Sequence, residues 1–133
     1  MLGIDTNVLL RLVVTDDAEQ TRRAHKLVEA SLELDEPVFI SLLVLVESEW
    51  VLRSRYGFKP GDIRGIFRSL LESSEMSFED EPAVEEALFR WQSSGCEFAD
   101  CLIVAHNRRL GCRTTSTFDH KAAKLPGAAI VRS

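Results

Sequence analysis

Leu2-Gly3-Ile4-Asp5-Thr6-Asn7-Val8-Leu9-Leu10 is the stretch on which the reading of this chain turns. Leu2 to Ile4 form a short apolar run suited to a buried strand, Asp5-Thr6-Asn7 is a polar break, and Val8-Leu9-Leu10 reads as a turn into a short helix. A strand passing directly into a helix is the elementary unit of an α/β fold. Asp5 at that junction has an ordinary explanation as a helix N-cap, because Asp and Thr side chains accept hydrogen bonds from the free N–H groups of a first turn. It has a second one. Ligands of open parallel sheets bind beyond the C-terminal ends of the strands, and Asp5 closes the first strand.

Working outward, short apolar runs alternate with longer helical patterns. Strands are expected at 2–5, 38–41, 76–78, 113–116 and 129–132, and helices at 18–32, 43–55, 61–73, 83–93 and 98–110. The alternation predicts an α/β domain spanning 1–133, with one central parallel sheet of about five strands flanked by helices. Pro60, Gly61 and Asp62 open the third of these helices, and Gly111 follows the last as a C-terminal cap residue should. The apolar run 40–46, with Ser41 inside it, is far shorter than the roughly 20 residues of a membrane span, and no basic stretch followed by an apolar segment opens the chain. Three cysteines, Cys96, Cys101 and Cys112, make neither a CxxC pair nor an even set, which suits a reducing compartment; a cytoplasmic location is expected. The net charge of −5, from 16 Lys and Arg against 21 Asp and Glu, excludes whole-molecule attraction as the source of nucleic-acid binding. An acidic excess does suit a site for a hard divalent cation.

Three further carboxylates stand out. Asp119 follows Thr117-Phe118 in a turn after the fourth expected strand, so it approaches Asp5 if strands one and four are neighbours at the switch point of the sheet. Helical spacing groups Glu47 with Leu43, Val46 and Trp50, a stripe expected to be buried, where an unpaired carboxylate requires a basic partner, a proton or a cation. Glu49 is instead assigned a structural pairing with Arg53 at i+4. Asp100 shares a helical stripe with Ile103, Val104 and Asn107, and it lies in a first turn where, like Glu97, it also interacts favourably with the helix dipole.

These residues carry a resemblance to the PIN-domain family and, within it, to the VapC-type toxins of toxin–antitoxin pairs. The resembling blocks are Leu2 to Leu9, Ser41 to Leu52 with Glu47-Ser48-Glu49-Trp50-Val51-Leu52, Phe98-Ala99-Asp100-Cys101-Leu102-Ile103, and Thr117-Phe118-Asp119, all in family order. The resemblance implies a sheet in the order 3-2-1-4-5. It implies that Asp5, Glu47, Asp100 and Asp119 are catalytic, metal-holding acids of a Mg²⁺- or Mn²⁺-dependent endoribonuclease, with Thr6, Asn7, Thr117 and Glu97 as supporting polar residues. The family varies most at its fourth acid, here Asp119.

The implied chemistry is metal-assisted hydrolysis of an RNA phosphodiester. Basic residues are then needed near the acids, and Arg11, Lys121 and Lys124 are the candidates by position. The resemblance also implies a cognate antitoxin partner and a homodimer. Two other readings compete. An aspartate-nucleophile phosphatase would carry a DxD motif, but Asn7 stands where the second Asp belongs. A non-catalytic PIN-like binding domain would keep the fold without turnover.

Overall fold

Asp5 ends the first strand almost as soon as it has begun. In the computed structural model, which describes residues 1–132, β1 is only Leu2–Gly3, and Asp5 is already the N-cap of α1 (Thr6–Val13). The chain forms two compact units, Met1–Glu79 and the part from Asp80 onward.

The first unit continues with α2 (Ala18–Glu33), β2 (Val38–Ile40), α3 (Leu42–Ser54), α4 (Pro60–Glu72) and β3 (Met76–Phe78). Its strands form a parallel sheet in the order β1-β2-β3, with Gly3 opposite Phe39 and Phe39 opposite Ser77. Val38 and Ile40 are fully buried, as expected for a strand covered on both faces. Leu9, Leu45, Leu52, Ile63 and Phe67 supply the apolar faces of α1, α3 and α4. Ser41 caps α3 by accepting from the Val44 N–H at 3.2 Å, and the Glu79 carboxylate accepts from the Leu42 N–H at 3.0 Å, so both satisfy otherwise free donors of the first turn.

The phase of α3 differs from the expected one. Its buried residues are Leu42, Leu45, Ser48, Glu49 and Leu52, whereas Leu43 is 82% and Trp50 51% exposed and Glu47 is exposed. Two stripes of this helix are almost equally apolar, and packing rather than pattern decides between them. The pairing of Glu49 with Arg53 forms at 2.8 Å, with the Glu49 carboxylate buried rather than at a free surface.

The second unit contains α5 (Glu81–Ser94), α6 (Phe98–Arg109), β4 (Thr115–Thr117), a 3-10 turn at Ala122–Lys124 and β5 (Ala128–Ile130). β4 and β5 pair in parallel as a two-stranded sheet. The expected single sheet of five strands is therefore corrected. The 3-2-1 and 4-5 pairings form, but among the described residues the strands make two sheets, with no ladder joining β1 to β4. β1 has two residues, and its surroundings bond toward β2, through Leu2 N–H to Pro37 O at 2.9 Å and Ile4 N–H to Phe39 O at 3.3 Å. So short a strand has little backbone left for a second ladder. β4 begins later than expected because its hydrogen bonds start from Thr115 N–H to Gly127 O at 2.8 Å.

Gly95, at φ 73, ends α5 in the left-handed conformation that suits glycine and turns the chain into α6. Trp91 and Phe98 pack across this turn with ring centroids 5.2 Å apart. At the other end of the helix pair, Asp80 accepts from Nδ1 of His106 at 2.7 Å and from Nε of Arg109, so α5 and α6 run antiparallel. Burial pushes the Asp80 carboxyl up, but the His106 and Arg109 hydrogen bonds outweigh it and hold the group below the ordinary carboxylate range. Among the described residues no helix is long and apolar enough to cross a membrane.

A carboxyl depressed in the folded state stabilises above its unfolded pKa, and that contribution is lost as pH falls through the folded value. Asp80→Asn keeps a residue that tolerates positive φ while removing the charge. It should destabilise by about 1–2 kcal/mol at pH 7, and the difference from wild type should shrink below about pH 4. Urea unfolding at both pH values measures this.

Candidate active site

In the first unit, the expected site residues lie at the junction after β1 and in the middle of α3. Asp5 is exposed, and its Oδ1 accepts from the Val8 N–H at 3.0 Å, the N-cap bond expected of it. Thr6, buried at the first position of α1, donates its hydroxyl to Oε1 of Glu47. That bond fixes an exposed glutamate that the sequence reading places in a buried stripe. Asn7 is exposed beside Asp5. Asp5, Asn7, Val8, Arg11, Gln20 and Arg23 line a cleft of about 430 Å³ between α1 and α2.

Arg11 in this cleft is already engaged. Its Nη1 pairs with Asp16 at 2.8 Å and its Nε donates to Gln20 at 2.6 Å, while the Tyr56 hydroxyl donates to the other Asp16 oxygen at 2.7 Å. The Tyr56 hydrogen bond is the largest influence holding the Asp16 carboxyl below its usual range, with the Arg11 charge adding to it. The sequence gives no sign of this cluster, because Tyr56 lies 45 residues from Arg11. Arg23, another residue the sequence reading misses, is exposed at the cleft and carries only ordinary helical signals.

In the second unit, Asp100 sits half-buried in the first turn of α6, with Glu97 exposed at the N-cap. Its expected apolar stripe is only partly realised, since Val104 is buried but Ile103 is 51% exposed. Asp119 follows β4. Its N–H donates to Oγ1 of Thr117 at 3.0 Å, and its Oδ1 accepts from the N–H groups of Lys121 at 2.8 Å and Ala122 at 3.3 Å. Lys121 and Lys124 are exposed just beyond, and a Cβ at Gly95 would stand 3.3 Å from the ammonium of Lys121.

The Asp100 carboxyl is raised above the ordinary range, first by burial and then by the negative charges of Asp119 and Glu97. Three acids of the second unit thus share one negative field. Asp5, Glu47 and Asp119 have a further property in common: each is held through one carboxylate oxygen, Oδ1, Oε1 and Oδ1 respectively. The second oxygen of each is left for another ligand. These donors are all hard oxygens, which suits Mg²⁺ or Mn²⁺ and not a thiolate- or imidazole-seeking metal. Among the described residues no three His, Cys, Asp or Glu side chains are grouped as ligands of one ion. Mg²⁺ retains several waters and is often bound through one or two carboxylates, so such a grouping is not required for it.

The family model of the PIN domain matches residues 3–128. A VapC ribonuclease of Aquifex aeolicus (strain VF5) is 23% identical over 122 residues, covering 92% of this chain and 90% of that protein.

Two stability measurements follow from the site. A carboxyl raised in the folded state destabilises that state above its unfolded pKa. Metal-free Asp100→Asn should therefore melt higher than wild type at pH 7 and match it near pH 3, where both side chains are uncharged. Asp5→Ala should lose about 1 kcal/mol with the cap, whereas Asp5→Asn should keep most of it; thermal melts of both variants check this.

Proposed function

The chain belongs to the PIN-domain family, and on that premise we propose that it is a divalent-metal-dependent endoribonuclease, the toxin of a VapC-type pair. The observation that carries the reading is that Asp5, Glu47 and Asp119 are each anchored through one oxygen, and the motif resemblance matches these residues and Asp100 to the family's acids. Similarity to a VapC ribonuclease along nearly the whole chain supports it.

Asp5, Glu47, Asp100 and Asp119 are the acids proposed to hold Mg²⁺ or Mn²⁺. When bound, the ion supplies a Lewis acid for the phosphate and a nucleophilic water near neutral pH. The chain's own residues prepare that site. Thr6 fixes Glu47, the first turn of α1 fixes Asp5, and the turn after β4 fixes Asp119, so little side-chain entropy remains to be lost on binding. Burial beside Asp119 and Glu97 makes Asp100 the acid most relieved by a nearby cation. Asn7, Thr117 and Glu97 are proposed to orient water or substrate around these acids. Arg11, Lys121 and Lys124 are the proposed contacts to RNA phosphates, Arg11 at the cost of its present bonds to Asp16 and Gln20.

The proposed partners are the RNA substrate, a small antitoxin that covers the acids, and a second copy of the chain, all in the cytoplasm. The protein should cut RNA with Mg²⁺ or Mn²⁺ and not in excess EDTA. Asp5→Asn and Asp100→Asn should each abolish cutting while remaining folded. A gel assay on cellular RNA, with circular dichroism of each variant, reads both; undiminished cleavage in EDTA contradicts the proposal.

A further inference from the structure

Acids that hold a metal do not by themselves seat a nucleic acid, and a chain of net charge −5 gains little from long-range attraction to one. A contact independent of charge is needed beside the acids. Phe118 is 82% exposed, the highest among the aromatic side chains of the described residues; Phe89 and Trp50 follow at 56% and 51%. A single exposed apolar side chain is ordinary on a protein surface. Phe118 differs in its position and in how it is held.

It stands between Thr117, the last residue of β4, and Asp119. The backbone on its far side is pinned by Asp119 N–H to Thr117 Oγ1, and by Lys121 and Ala122 N–H to Asp119 Oδ1. On its near side, the Thr117 carbonyl accepts from Val131 N–H at 2.8 Å. The outward ring is therefore a consequence of a turn tied at both ends. The exposed cations Lys121 and Lys124 follow within the next six residues of the chain.

We infer that Phe118 is a stacking platform for one unpaired nucleobase of single-stranded RNA, seating that nucleotide beside Asp119 with neighbouring phosphates toward Lys121 and Lys124. The inference rests on the ribonuclease reading and adds to it the side chain that seats a base beside Asp119. Every base offers a π-face to an aromatic ring, so the contact tolerates sequence; in a duplex those faces are already covered by neighbouring base pairs, so the contact selects single strands. Lysines nearby supply the phosphate complement that the acids oppose.

The test separates binding from cleavage. Fluorescence anisotropy of a fluorescein-labelled single-stranded RNA of mixed sequence is measured in EDTA, where no cutting occurs, with the same sequence annealed as a duplex for comparison. Phe118→Ala should weaken single-strand binding by about 5- to 150-fold, Phe118→Trp should retain it, and duplex binding should not change. The melting temperature of Phe118→Ala should stay at the wild-type value, because the ring is exposed. With metal added, the same variant should raise KM and leave kcat nearly unchanged. Wild-type affinity in Phe118→Ala, an equal loss on the duplex, or no binding of single-stranded RNA by the wild type would each overturn the inference. Binding that follows this pattern in a protein that never cuts RNA would overturn the ribonuclease reading and leave the stacking role standing.

Discussion

Carboxylates brought together repel one another, and this protein keeps several of them in place without neutralising them. The clearest instance is Asp100, whose proton affinity is raised by burial and by the charges of Asp119 and Glu97. Holding such a group is a burden on folding, since the fold favours its uncharged form while neutral solution favours its ion. Proteins carry burdens of this kind where function requires them. A divalent ion reverses the sign, turning mutual repulsion into shared attraction.

The means of holding the acids is as informative as their presence. Asp5 and Asp119 are bound by backbone N–H groups and Glu47 by a hydroxyl, in each case through a single oxygen. Such bonds fix the side chain's direction, while the other oxygen is left for a ligand. The N-cap explanation of Asp5 and the metal explanation are therefore compatible. One oxygen serves the helix and the other is available for chemistry.

Much of this was legible in the residues, though not always for the reason first suggested. The strand–cap–helix reading of Leu2 to Leu10 holds, because cap chemistry is local and the apolar runs on either side are unambiguous. The 3-2-1 order of the first sheet holds as well. The burial argument for Glu47 fails: α3 has two stripes of similar apolarity, and packing of Leu42, Leu45 and Leu52 inward turns Glu47 outward. What positions Glu47 is a threonine 41 residues away, a relation no local pattern encodes. The Arg11–Asp16–Tyr56 cluster was hidden for the same reason. The ladder expected between the first and fourth strands depended on a strand longer than the two residues available before the cap.

The central claim is the proposal that Asp5 and Asp100 each contribute to divalent-ion binding. Isothermal titration calorimetry of Mn²⁺ into the wild type, Asp5→Asn and Asp100→Asn tests it most directly. The account predicts Mn²⁺ binding that is weakened by about 10-fold or more by either substitution. A Mn²⁺ affinity and stoichiometry left unchanged by one of the two substitutions would contradict it.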